Sequence, residues 1–159
     1  MRMGFATTPE DVLGFWFDPA TKPKWFNGGA AFDDEVRTVL APALEAAARG
    51  DLARWEGDAD GALALVLLFD QVPRNIFRGT ARAFAHDAEA RRIARIVQER
   101  GWDLEGPVER RVFLYLPFEH SEDLADQEFS VRLFRERANE DEYLKYAEAH
   151  LDVIRRYGR

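Results

Sequence analysis

The 159-residue chain contains no cysteine. That excludes a disulfide framework, thiolate catalysis and every cysteine-ligated metal site, and it fits a reducing cytoplasm. No apolar run approaches the roughly 18 residues of a membrane span; the longest, 62–69 (ALALVLLF), reads as a buried helix segment. The N-terminal stretch MRMGFATTPEDVLGFWF lacks a long apolar core followed by a small-residue cleavage site, so no signal peptide is read and a cytoplasmic location is expected. Positive charge is scarce: 22 Lys and Arg against 29 Asp and Glu leave a net charge of −7, which argues against nucleic-acid binding. No stretch alternates convincingly with period two, and no clean internal repeat is visible.

What is present is a core. Apolar residues make up 47% of the chain and aromatics 13%, enough for one helical domain over 1–159 without help from a metal or cofactor. Thr8-Pro9-Glu10-Asp11 reads as a helix start, with a hydroxyl cap, a first-turn proline and acids on the helix dipole, and this helix ends near Asp18-Pro19. The loop that follows places Trp25 and Phe26 as anchors folding back. Further helices are expected over 33–49 (stopped by Gly50), from 60 into a polar motif, 87–100 (stopped by Gly101), 107–117, 121–137 with Ser121 as its cap, and from Asn139-Glu140 to Gly158. The class is all-α, built from antiparallel helix pairs. Leu65, Leu68, Phe69, Phe113, Leu116 and Phe134 are expected in the core.

Two polar islands interrupt apolar runs. The first, 67–79 (LLFDQVPRNIFRG), carries Asp70, Gln71, Arg74, Asn75 and Arg78. These side chains must be solvated, paired or holding a ligand, because burying them unpaired costs several kcal/mol. Asp70, Arg74 and Arg78 are spaced by four and would share one helix face, but Pro73 removes a backbone donor, so a kink or helix end is expected inside the cluster. The second island, 115–123 (YLPFEHSED), again follows an apolar run and a proline, and brings His120, Ser121, Glu122 and Asp123. The arginines Arg91, Arg92 and Arg95 alternate with Asp87, Glu89 and Glu99 and read as a solvated, ion-paired helix face.

The ordered set VLGFWF, KWF, LARW, LALVLLFDQVPRNIFRGTARAFAHDAEA, FLYLPFEHSEDLADQE and HLDVIRRYGR resembles the bacterial family catalogued as domain of unknown function 924, over nearly the whole chain. The resemblance implies a tetratricopeptide-like α–α superhelix and carries over Asp70, Gln71, Pro73, Arg74, Asn75, Arg78, His120, Ser121 and Glu122 as motif positions. It also implies a further proline, arginine and asparagine segment beyond Gly158-Arg159 that this chain does not include; a site sharing that segment would be incomplete here.

Three functional readings remain open at this level. In the first, Arg74 and Arg78 offer planar bidentate donors, Asn75 adds an amide, and with Asp70, Gln71 and His120 they line a cleft for a peptide or small metabolite bearing carboxylate or phosphate. In the second, the chain is a hydrolase or lyase with His120 as acid or base and Glu122 orienting it. The third is architectural: the arginines pair with Asp70 and cap carbonyls freed at the Pro73 break, and the polar islands fix helix register. No HExxH spacing or nucleophile elbow is present, so no metal is expected and Ser121 is not read as a nucleophile.

Overall fold

The structure, a computed structural model, describes residues 4–159; the first three residues of the N-terminal stretch read above lie outside them. Among the described residues every regular element is helical. The α-helices are α1 (Pro9–Trp16), α2 (Gly29–Ala48), α3 (Ala59–Val66), α4 (Val72–Ile76), α5 (Asp87–Glu99), α6 (Val108–Glu119), α7 (Leu124–Leu133) and α8 (Asp141–Tyr157). A π turn, Leu67–Gln71, joins α3 to α4 without a break, and a second, Phe134–Ala138, extends α7. With each π turn counted into its helix, the order is the seven-helix order expected from the sequence.

Local signals set most boundaries. Thr8 and Asp11 form a reciprocal cap at the start of α1: the Asp11 N–H donates to Thr8 Oγ1 at 3.1 Å and the Thr8 N–H to Asp11 Oδ2 at 3.2 Å. Gly50 and Gly101, with φ of +86° and +72°, end α2 and α5 in the left-handed conformation that costs glycine least. Other boundaries differ from expectation. Asn139 is not an N-cap; at φ +53° it closes the preceding π turn, its N–H donating to Phe134 O at 3.1 Å. The cap of α7 is Asp123, whose carboxylate accepts from the Ala125 and Asp126 N–H groups, while the Ser121 hydroxyl accepts from Asp123 N and donates to Asp126 Oδ2. Neither Pro73 nor Pro117 ends its helix. At Pro73 the widened turn makes room: the Val72 N–H reaches five residues back to Leu67 O, easing the ring past the carbonyl it would otherwise strike.

The chain forms two compact units, one running through Ala90 and one beginning at Arg91. In the first, α1 packs on α3 and α2 on α4, around Val12, Trp16, Val36, Leu40, Leu65, Leu68 and Phe69. Trp25 folds back as expected, its indole donating to Trp16 O at 2.9 Å, whereas Phe26 stays exposed with its ring edge against Trp25. In the second, α6, α7 and α8 pack on one another around Phe113, Tyr115, Leu116, Phe118 and Phe134. All six side chains expected in the core are buried, each contributing about 1.5–3 kcal/mol by leaving water.

Candidate functional site

The first π turn decides where the first polar island points. It turns Asp70 and Gln71 inward, and the Asp70 carboxylate, only 1% exposed, accepts from Gln71 Nε2 at 2.9 Å and from Arg74 NH1 at 3.3 Å. Arg74 then reaches further. Its NH1 and NH2 donate to the two carboxylate oxygens of Asp87 at 2.8 and 2.9 Å, a bidentate fork onto the first turn of α5, and NH1 also caps Asp70 O at 2.8 Å. Asp70 and Arg74 thus share a helix face as their spacing predicts.

Arg78 does not join them, because α4 ends at Ile76 and Phe77 leaves helical geometry. The Arg78 guanidinium instead forks onto Asp33 of α2, Nε and NH2 donating at 2.8 and 2.9 Å, and Asn75 Nδ2 adds a third bond to the same carboxylate at 2.9 Å. The expectation that both arginines pair with Asp70 therefore holds for Arg74 and is corrected for Arg78; the bidentate partners are Asp87 for Arg74 and Asp33 for Arg78. A sequence signal for Asp33 existed. It falls at helical spacing with Val36 and Leu40, the buried side of α2, where a carboxylate needs a partner. Asp87 carried no such mark, since an acid at a helix start is ordinary.

The electrostatics follow the contacts. The Arg78 hydrogen bonds, against partial burial and with help from Asn75, hold the Asp33 carboxyl below the usual range. Burial works against the Arg74 cation, but the Asp87 bonds and the Asp70 charge outweigh it and raise its pKa; Asp33 raises that of Arg78.

Cationic capacity remains at the edge of this cluster. Arg82 lies over the Phe77 ring, its guanidinium carbon 3.9 Å from the centroid, and forms no hydrogen bond or ion pair among the described residues. Arg78 keeps NH1 outside the Asp33 fork and its side chain is 62% exposed. Phe84, also exposed, closes the same short turn, with the Arg74 guanidinium 5.2 Å from its ring.

The second island is organised differently. Tyr115 is fully buried and donates to Asp103 Oδ2 at 2.6 Å; Arg137 NH1 donates to the same oxygen at 2.9 Å. Burial first, and then the Asp103 bond, push the Tyr115 phenol far above its ordinary pKa, so it stays a donor. His120 caps α6, its N–H donating to Leu116 O at 2.9 Å. Glu122 is exposed and forms no hydrogen bond or ion pair among the described residues, so it does not orient the His120 ring. On α8, half-exposed His150 meets a buried carboxylate: its Nε2 lies 3.7 Å from Glu119 Oε2. Arg91 and Arg95 pair with Asp126 of α7 at 3.7 and 3.0 Å rather than only with acids along α5. Among the described residues no group of three or more histidines and carboxylates is placed to hold a metal, and no helix is long and apolar enough to cross a membrane.

The chain as a whole is similar to other proteins. Residues 12–159 match the family described as "Bacterial protein of unknown function (DUF924)". The chain is similar to the solved structure of ATU0120, a protein of unknown function from Agrobacterium tumefaciens, at 42% identity over 95% of this chain and 84% of that one, with a TM-score of 0.89. No functionally curated protein matches. Both polar islands fall inside the matched span, and the chain belongs to the bacterial DUF924 family.

Proposed function

We propose that this chain is a binding protein for a peptide or small metabolite bearing carboxylate or phosphate, taken at the edge of the first polar island by Arg82 and the outer face of Arg78. The observation that carries this is the state of Arg82: a guanidinium lying over the Phe77 ring, 3.9 Å from its centroid, with no carboxylate on it. The cation–π contact confines the guanidinium while leaving its donors free, a favourable preparation for a carboxylate or a phosphate. Exposed Phe84 on the same turn offers a ring beside it. Arg74, Asn75, Asp70 and Gln71 then act one step behind, bracing the turn that presents the site.

Titration of the protein with phosphate, nucleotides and acidic peptides, beside thermal melts, tests the reading. Saturable binding that Arg82→Ala abolishes in a folded protein supports it; binding that survives Arg82→Ala with Arg78→Ala refutes it. A second reading draws on the two carboxylate forks themselves: with Asp33 and Asp87 in place, the whole island can serve as architecture. It predicts no anion binding in the parent. The hydrolase or lyase reading has less behind it, since Glu122 does not reach His120.

A further inference from the structure

We infer that the groove between α7 and α8 is a binding site for a free amino acid with an apolar side chain, taken as its zwitterion. The groove encloses roughly 400 Å³, the scale of a small-ligand site. Its apolar wall is Val131 of α7 and Leu151 of α8, both buried within the unit. Five charged side chains rim it, and their pairing separates them into two classes. Toward the α7–α8 connection Arg135 meets Glu148 at 3.6 Å; farther along α8, one turn before Arg155, Asp152 is taken by Arg156 of its own helix at 3.1 Å. The two that remain, Glu128 and Arg155, form no hydrogen bond or ion pair among the described residues.

Register places these two together. Helices α7 and α8 run antiparallel, and the Arg135–Glu148 contact sets their alignment. Seven residues from that contact on each helix, two turns or about 10.5 Å along the axis, stand Glu128 on α7 and Arg155 on α8. One end of the groove therefore presents an unpaired carboxylate on one wall and an unpaired guanidinium on the other. A molecule that satisfies both carries an ammonium and a carboxylate close together, and the apolar stretch between the two ends receives a hydrocarbon side chain. An amino acid has that form: its carboxylate suits the planar fork of Arg155, its ammonium suits Glu128, and its side chain lies on Val131 and Leu151. This site is independent of the anion site proposed above and uses none of its residues.

The test is calorimetric titration of the full chain with leucine, leucine amide and N-acetylleucine. Leucine is expected to bind saturably, and each blocked form at least tenfold more weakly, about 1.4 kcal/mol. Glu128→Gln should lower leucine affinity at least tenfold and leave N-acetylleucine unchanged, because that ligand has no ammonium to lose. Arg155→Met should do the same for leucine and leave leucine amide unchanged. Both positions are exposed, and thermal melts run alongside check that the variants fold. No saturable leucine binding in the folded parent overturns the inference, as does equal binding of leucine and its blocked forms. Tighter binding of leucyl-leucine than of leucine overturns the assignment to a single amino acid.

Discussion

Each unit contains a buried aspartate held by arginine beside a π turn, and the two are built to opposite plans. In the first, three carboxylates (Asp33, Asp70, Asp87) meet two guanidinium groups, side chain to side chain, and the bonds connect α2, the π turn, α4 and the start of α5. In the second, one carboxylate, Asp103, receives Tyr115 and Arg137, while Arg111 is spent on backbone: it donates to Asp103 O at 3.0 Å, Arg137 O at 2.7 Å and Gly106 O at 3.4 Å. The first is an exchange of charges with one face still open to solvent. The second fastens loops, with its anion sealed at 0% side-chain exposure and one carboxylate oxygen, Oδ1, left without a hydrogen bond among the described residues. The open cluster still presents guanidinium surface to water, whereas the sealed one presents none of its carboxylate.

The largest effects should come from breaking the sealed cluster. Asp103→Ala leaves a buried phenol and a half-buried guanidinium without an acceptor, and removing one partner of such a pair costs about 3–5 kcal/mol. Asp33→Ala in the first unit should cost less, about 1–3 kcal/mol, because Arg78 can turn to water and only the Asn75 amide stays stranded. Urea denaturation of the two variants checks the order. If Asp33→Ala is the more damaging, the contrast between an open and a sealed cluster fails.

Acid should then separate the Asp33 contribution from the rest. Its folded pKa is depressed below the unfolded value of 3.8, chiefly by Arg78. The stabilisation is therefore present above pH 3.8 and is lost as pH falls through the folded pKa. The stability gap between the parent and Asp33→Asn should be constant from pH 7 to pH 5 and shrink below pH 4. A gap that persists at pH 2 would mean that the hydrogen bonds, not the charge, hold α2 to α4.

The sequence and the structure agree where the cause is local and part where it is not. The capping pair Thr8/Asp11, the stops at Gly50 and Gly101 and the burial of Leu68 or Phe113 are legible because each rests on residues within a turn or two. Pro73 misled because a proline's missing donor matters only if the turn before it cannot widen, and nothing in VPRN announces a π turn; Pro117 misled because α6 runs on through it to Glu119 with no such widening. The islands themselves were legible as contiguous runs of polar residues among apolar ones. Their partners were not: Asp33 lies 45 residues from Arg78, and Asp103 lies 34 from Arg137. A charge's need for a partner is visible in a sequence, but the partner's address belongs to the fold.

The smallest expected effect is at Arg82, and its smallness is informative. Its visible attachment is the face of Phe77, and an exposed cation–π contact contributes about 0.5–1 kcal/mol. Arg82→Ala should therefore change stability by no more than that, an effect well below that of Asp33→Ala. Arg82→Lys should be closer still to the parent in stability, since the charge over the ring is kept, but it replaces a planar fork by a point charge. If the edge of the first cluster recognises a planar carboxylate, Arg82→Lys weakens binding while the melting temperature stays within a degree or two of the parent; if the cluster is architecture alone, binding is absent in all three proteins. Parallel melts and titrations on parent, Arg82→Lys and Arg82→Ala measure both quantities. A loss of stability at Arg82 as large as that at Asp33 would place this arginine inside the brace, where the carboxylate forks already are, and remove the free cation on which recognition at this edge depends.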